Sequence, residues 1–131
     1  LARAASRFRL IAYWTSTGLV ALQLGTGGVG DFLRLEPLVE GMMHLGYPAY
    51  FCVILGVWKM LGAVALLAPG TPRIKEWAYA GTIFQLTGAA ASHLAVGDDI
   101  IRVVVPVALA GLAAASWAMR PPARRLAGAT F

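Results

Sequence analysis

PAYFCVILGVWKMLGAVALLA, residues 48–68, decides how this chain folds. Twenty of these twenty-one residues carry no charge, and the exception is Lys59, near the middle. A hydrocarbon layer about 30 Å thick takes roughly 20 apolar residues to cross as a helix. Three more stretches of similar length flank this one, at residues 10–28, 77–96 and 100–119, and they are nearly as free of ionisable side chains. The chain is 59% hydrophobic and 13% charged, with a mean hydropathy of +0.70; a soluble domain carries about 25% charged residues. The expected fold is all-α: one integral membrane domain over residues 1–131, built as a four-helix bundle. An unusually apolar soluble helical protein is the competing reading, and the fourfold repeat of the spanning length disfavours it.

Charge supplies an orientation. Arg3, Arg7 and Arg9 precede the first stretch, Arg73 and Lys75 lie between the second and third, and Arg120, Arg124 and Arg125 follow the fourth. The acids Asp31, Glu36, Glu40, Asp98 and Asp99 sit in the other two connections, and only Glu76 joins the basic side. Basic connections stay in the cytoplasm, so both termini are expected there, in a bacterial inner membrane crossed four times. The first stretch follows basic residues as a signal peptide does. It lacks a small-residue cleavage site with a soluble domain behind it, so it is expected to be retained.

The punctuation agrees. Pro48 opens the second span, Pro69-Gly-Thr-Pro72 closes it, Gly97-Asp-Asp turns between the third and fourth, and Pro121-Pro122 ends the fourth. Trp14, Trp77, Tyr79 and Trp117 fall near span ends, as interfacial aromatics do. Gly25-Thr-Gly-Gly-Val-Gly30 is expected to break the first helix, because glycine is costly to order. Residues 31–45 then space Leu35, Leu38, Val39, Met42 and Met43 as a short amphipathic helix would, on or dipping into the outer face.

The net charge of +5 could suggest nucleic acid. The basic residues instead form short clusters beside apolar spans, without interleaved exposed aromatics, which suits anionic lipid headgroups. The lone Cys52 excludes an internal disulfide and a CxxC redox pair. No flavin, dinucleotide or haem motif is present either, so electrons for any redox chemistry would come from a partner.

Lipid offers no water to a polar group, so helices close on each other through small residues. In the third span Gly81, Gln85, Gly88, Ala89, Ser92 and His93 share a broad face, with Ile83, Leu86 and Leu94 pointing elsewhere. Gly56, Lys59, Gly62 and Ala63 do so in the second, and Thr15, Gly18, Gln23 and Gly25 in the first. These faces are expected to meet at the bundle centre. Lys59 lies eleven residues past Pro48, about 16 Å deep at 1.5 Å per residue. A lysine there costs about 3 kcal/mol on insertion scales and marks a functional site or a tie between helices. Its expected partners are Gln85 and Gln23, or Glu40 or Glu36 reaching in from the outer connection.

A second constellation faces outward. Glu40 and His44 stand at i,i+4, and His93 lies near Asp98 and Asp99. The group could form a hydrogen-bonded cap, a proton relay or a grip on a polar ligand head; a divalent metal on Glu40, His44 and His93 is the lesser alternative.

Five strings taken in order are familiar: His44-Leu-Gly-Tyr-Pro48, Gly56-Val-Trp-Lys59, Leu61-Gly-Ala63, Lys75-Glu-Trp-Ala-Tyr-Ala-Gly81 and Ser92-His-Leu-Ala-Val-Gly-Asp98. Over roughly residues 12–119 the chain resembles the DoxX-like family of small bacterial membrane proteins. The resemblance implies four membrane helices. The family is named for a subunit of an archaeal thiosulfate:quinone oxidoreductase, and bacterial relatives are linked to redox stress. A distant animal relative resembles an assembly chaperone for receptors. The resemblance singles out Glu40, His44, Lys59, Glu76, His93 and Asp98, without a catalytic motif to transfer.

Three functions are carried forward. The first is an oxidoreductase-associated subunit that binds a quinone or another lipophilic ligand. Tyr47, Trp58 and Phe84 would form its apolar walls, and Gln23, Lys59, Gln85 and His93 would supply the polar groups, with Lys59 or His93 as candidate proton donors. The second is a non-catalytic protein that packs against other membrane proteins, with self-association left open. The third is a stand-alone enzyme or carrier for a small lipophilic molecule.

Overall fold

The computed structural model describes residues 1–127; residues 128–131 of the single domain expected over 1–131 lie outside it. Five α-helices follow one another: α1 (Ala2–Phe32), α2 (Glu36–His44), α3 (Phe51–Leu67), α4 (Pro72–Ala95) and α5 (Ile100–Ala118). A 3-10 turn, Pro122–Arg124, follows α5, and no strand occurs among the described residues. α1 packs most closely on α3, and α4 on α5; α1 also meets α5, and α3 touches α4 least among these pairs. Among the described residues one helix, α5, is by length and composition long and apolar enough to cross a membrane, while α3 is apolar but only 17 residues long.

The expected break at Gly25–Gly30 does not occur, and α1 runs on to Phe32. Each helical glycine costs about 1 kcal/mol relative to alanine, and close packing on α3 offsets that cost. A Cβ on Gly56 would lie 2.6 Å from the Phe32 nitrogen and 2.7 Å from the Gly28 oxygen. One on Gly28 would lie 2.9 Å from the Lys59 Cβ. Bare backbones therefore touch where α1 and α3 cross, the close approach that small residues permit.

The other boundaries shift for local reasons. The amphipathic helix expected over 31–45 contracts to α2, with Pro37 in its first turn. α3 starts at Phe51, beyond the turn that Pro48 was expected to open as helix. α4 starts at Pro72 rather than at residue 77, because Pro is accommodated in a first turn where its missing N–H leaves no bond unmade. Lys75 and Glu76 are thus helical and not in a connection.

Two other expectations about inward faces are corrected. Thr15 and Gly18 are exposed, and α1 buries Tyr13, Ser16, Thr17, Val20, Ala21, Leu24, Gly28 and Asp31 instead. In α4, Gly88 is exposed and Leu86 is buried, because the helix turns its Lys75–Tyr79–Thr82–Leu86–Ala90 stripe inward.

The two ends differ in chemistry. Val20, Leu24, Ala63, Leu66, Tyr79 and Ala113 form the apolar core. Beyond it, at the end carrying the chain's tail, Ser116 meets Thr17 at 2.6 Å and Tyr79 at 2.8 Å. At that same end the wholly buried Lys75 donates to the carbonyl oxygens of Ala65 (2.7 Å) and Ala68, which close α3. Arg124 donates to the Leu66 carbonyl oxygen at 3.1 Å and lies over the Trp14 ring at 4.7 Å. Cations at a helix C-terminus satisfy its last carbonyls and its dipole. Glu76 accepts from Trp117 at 2.8 Å and from Arg120.

Candidate functional site

Lys59 is eight residues into α3, and helical side chains lean toward the helix N-terminus. Its ammonium accordingly reaches toward the α2 end of the molecule. It donates to the Asp31 carboxylate Oδ2 at 2.7 Å, with the two side chains 12% and 4% exposed. The partner is therefore neither Gln85, Gln23, Glu36 nor Glu40. Glu40 stays exposed on α2, because the glycine-rich end of α1 remains helical and carries Asp31 there first. Gln23, Gly27 and Asp31 recur every four residues on α1 and so share a face. A Cβ on Gly27 would lie 3.7 Å from Lys59 Nζ and 3.8 Å from Gln23 Nε2. The Gln23 side-chain oxygen Oε1 is buried with no hydrogen-bond partner among the described residues.

Two clefts meet at Lys59. One, of about 410 Å³, is lined by Gln23, Lys59, Gln85, His93, Arg102 and apolar residues of α4 and α5. The other, of about 690 Å³, runs between α3 and α4 and is walled by Leu55, Trp58, Leu61, Trp77 and Gly81. Lys59 and Gln85 line both. Of the expected apolar walls, Trp58 takes its place. Phe84 is 74% exposed and lines neither cleft. Tyr47 stands outside as well: its hydroxyl meets that of Ser92 at 2.9 Å, and its ring stacks on Phe51.

The outer constellation is assembled by turns. α4 ends in a Schellman turn, in which Asp98 N–H donates to the His93 oxygen at 3.0 Å and Gly97 N–H to the Leu94 oxygen at 3.2 Å. Gly97 has φ +75°, a value an L side chain resists. The reversal swings Asp98 back over the helix. Its Oδ2 sits 2.6 Å from His93 Nδ1 and its Oδ1 2.7 Å from His44 Nε2. One carboxylate thus ties α2 to α4. The His93 hydrogen bond, then that of His44, holds the Asp98 carboxyl below its ordinary value against a smaller opposing effect of burial. The carboxylate between the imidazoles is Asp98, while Glu40 only lines the polar cup beside it, of about 500 Å³, with His44, Asp98, Asp99 and Arg102. Among the described residues no three His, Cys, Asp or Glu side chains group as metal ligands.

Sequence reasoning missed Asp31, sorted among the acids of the outer connections, and did not single out Arg102. The four-residue recurrence from Gln23 to Asp31 was the available signal. Glu76, singled out by resemblance, belongs to the opposite end.

No curated protein and no solved structure matches the chain. The family model described as DoxX-like matches residues 15–116, from the first helix through the buried Ser116 of the last. With its quoted strings lying inside that span and well over half of its length matched, the chain belongs to the DoxX-like family.

Proposed function

We propose that this protein is a membrane-embedded binder of a lipophilic molecule with a polar head, of the quinone class, serving as an accessory subunit of a membrane oxidoreductase. α1, α3, α4 and α5 would cross a bacterial inner membrane with the tail end and both termini in the cytoplasm. The distribution of basic residues supports that orientation. The exposed belt of Leu19, Leu22, Trp58, Leu61, Val64 and Val104 supports burial in lipid.

One observation carries the reading: Lys59 and Gln85 stand where an apolar groove and a polar-headed cleft join. An apolar ring and tail fit the α3–α4 side, and a carbonyl fits the Lys59 ammonium or the Gln85 amide. The uncommitted Gln23 oxygen would accept from a hydroxyl. The test is equilibrium binding of a short-chain ubiquinone to the purified protein in nanodiscs. Saturable binding, weakened at least tenfold in Gln85→Leu and Lys59→Met, supports the reading; absence of binding by the folded protein overturns it.

A second reading has its own support. The outward face of α4 presents exposed Gly88, Ala91 and Ala95 beside Phe84, and a Cβ on Gly88 would meet nothing within 4 Å. Such a face suits close approach of a helix from another membrane protein. Stoichiometric co-purification from native membranes, lost in Gly88→Leu, would favour this interaction role.

A further inference from the structure

The polar groups of the interior are continuous with one end of the molecule and cut off from the other. At the α2 end, Arg102 lines both the cup and the 410 Å³ cleft. Asp98 lines the cup, and its partner His93 lines the cleft. Two independent side-chain links therefore cross from the surface to the chamber of Gln85, Gln23 and Lys59. The route is set about with charge from every helix packed on it. Glu40 and His44 come from α2, His93 from α4, Asp98 and Asp99 from the turn, Arg102 from α5, Lys59 from α3 and Asp31 from α1.

Toward the tail end the polar column stops. Gln23 and the next inward hydroxyl on its helix, Thr17, are six residues apart, about 9 Å along the axis. Val20, Leu24, Leu66 and Ala113 fill the space between them, each 1% exposed or less. Thr82, the one hydroxyl at that level on α4, donates to the Ala78 carbonyl oxygen in its own helix at 2.7 Å. Packing of this kind leaves no room for a file of water through the core. The α3–α4 groove does run on from Lys59 and Gln85 to Ala68 and Thr71 at the tail end, but its walls are chiefly apolar and in lipid offer a water file too few partners. The Thr17–Ser116–Tyr79 cluster beyond the core is a separate polar island.

We propose that the cleft at Gln23, Lys59 and Gln85 exchanges water and protons with the α2 end alone, past Asp98, His93 and Arg102. A ligand head seated at Gln23, Gln85 and Lys59 would then take up or release protons on that side only. The ligand clause rests on the binding reading above; the one-sided route does not.

The experiment uses the full chain with Cys52, which is wholly buried, replaced by alanine, reconstituted in vesicles of known orientation. Single cysteines are placed at the junction (Arg102→Cys), in the chamber (Ala89→Cys and Gln85→Cys) and in the island (Ser116→Cys). A charged, membrane-impermeant methanethiosulfonate is added from each side in turn. Labelling should fall with depth from Arg102→Cys through Ala89→Cys to Gln85→Cys, and be at least tenfold faster from the α2 side. Ser116→Cys should label at least tenfold more slowly than Ala89→Cys from either side. Because the thiolate is the reacting species, the rate at Ala89→Cys should rise with pH on the α2 side and ignore a two-unit change on the other. Equal labelling from both sides, labelling from the tail side, or an inert Ala89→Cys in a monodisperse protein overturns the route. Ubiquinone binding is scored separately: its failure with the labelling gradient intact removes the ligand reading and leaves the route standing.

Discussion

Lys59 and Asp31 are each tolerable in the interior only because of the other. Removing one partner of a buried pair strands a charge and typically costs about 3–5 kcal/mol, whereas replacing both with apolar groups is often neutral. Asp31→Leu should therefore lower the unfolding temperature in detergent sharply, and Asp31→Leu/Lys59→Met should restore most of it. A double variant no better than the single would show that the pair is not what makes Asp31 necessary. Asp98 allows a pH test. Its pKa is depressed in the folded state, so its contribution is present above the ordinary carboxylate value of about 4 and is lost as the pH falls through the depressed value. The stability gap between the native chain and Asp98→Asn should be full at pH 6 and shrink steadily toward pH 3, read by thermal melts. A gap independent of pH would show that Asp98 contributes nothing through its charge.

At the scale of elements, the α1–α3 crossing is the critical contact. Gly56→Ala places a methyl against the backbone of Phe32 and Gly28, atoms that cannot move without separating the helices. Overpacking of that kind costs typically about 1–3 kcal/mol, and it should also disturb the Lys59–Asp31 pair one turn away. Gly18→Ala meets nothing within 4 Å and should stabilise by about 0.5–1 kcal/mol through helix propensity. Chemical unfolding of the two variants side by side checks both signs. If Gly56→Ala is as benign as Gly18→Ala, the helices do not approach as described.

For the whole molecule, the basic tail end and the acidic α2 end lead to a prediction about orientation. Lys75 and Arg124 there also bind the last carbonyls of α3, so the charges that would set the proposed orientation also close that helix end. A reporter active only in the cytoplasm, fused after residue 127, should be active. A reporter active only outside, inserted between Gly97 and Asp98, should be active as well. Activity of the opposite reporters would invert the proposed orientation and place the open end of the chamber on the cytoplasmic side.

Local composition and spacing alone determined the helical class and the middle of each long helix, though helix ends moved by up to eight residues, because apolar runs and breakers act within a turn or two of chain. The same short range also misled. Read locally, Gly25–Gly30 breaks a helix, Asp31 is a loop acid and Lys75 a loop cation. Packing between distant segments reversed all three. Packing against Gly56 stabilises those glycines as helix, the continued helix carries Asp31 to an ammonium twenty-eight residues away in sequence, and the carbonyls closing α3 receive Lys75. Each outcome depends on a contact between distant segments, and the energy of such a contact is not written in either segment by itself.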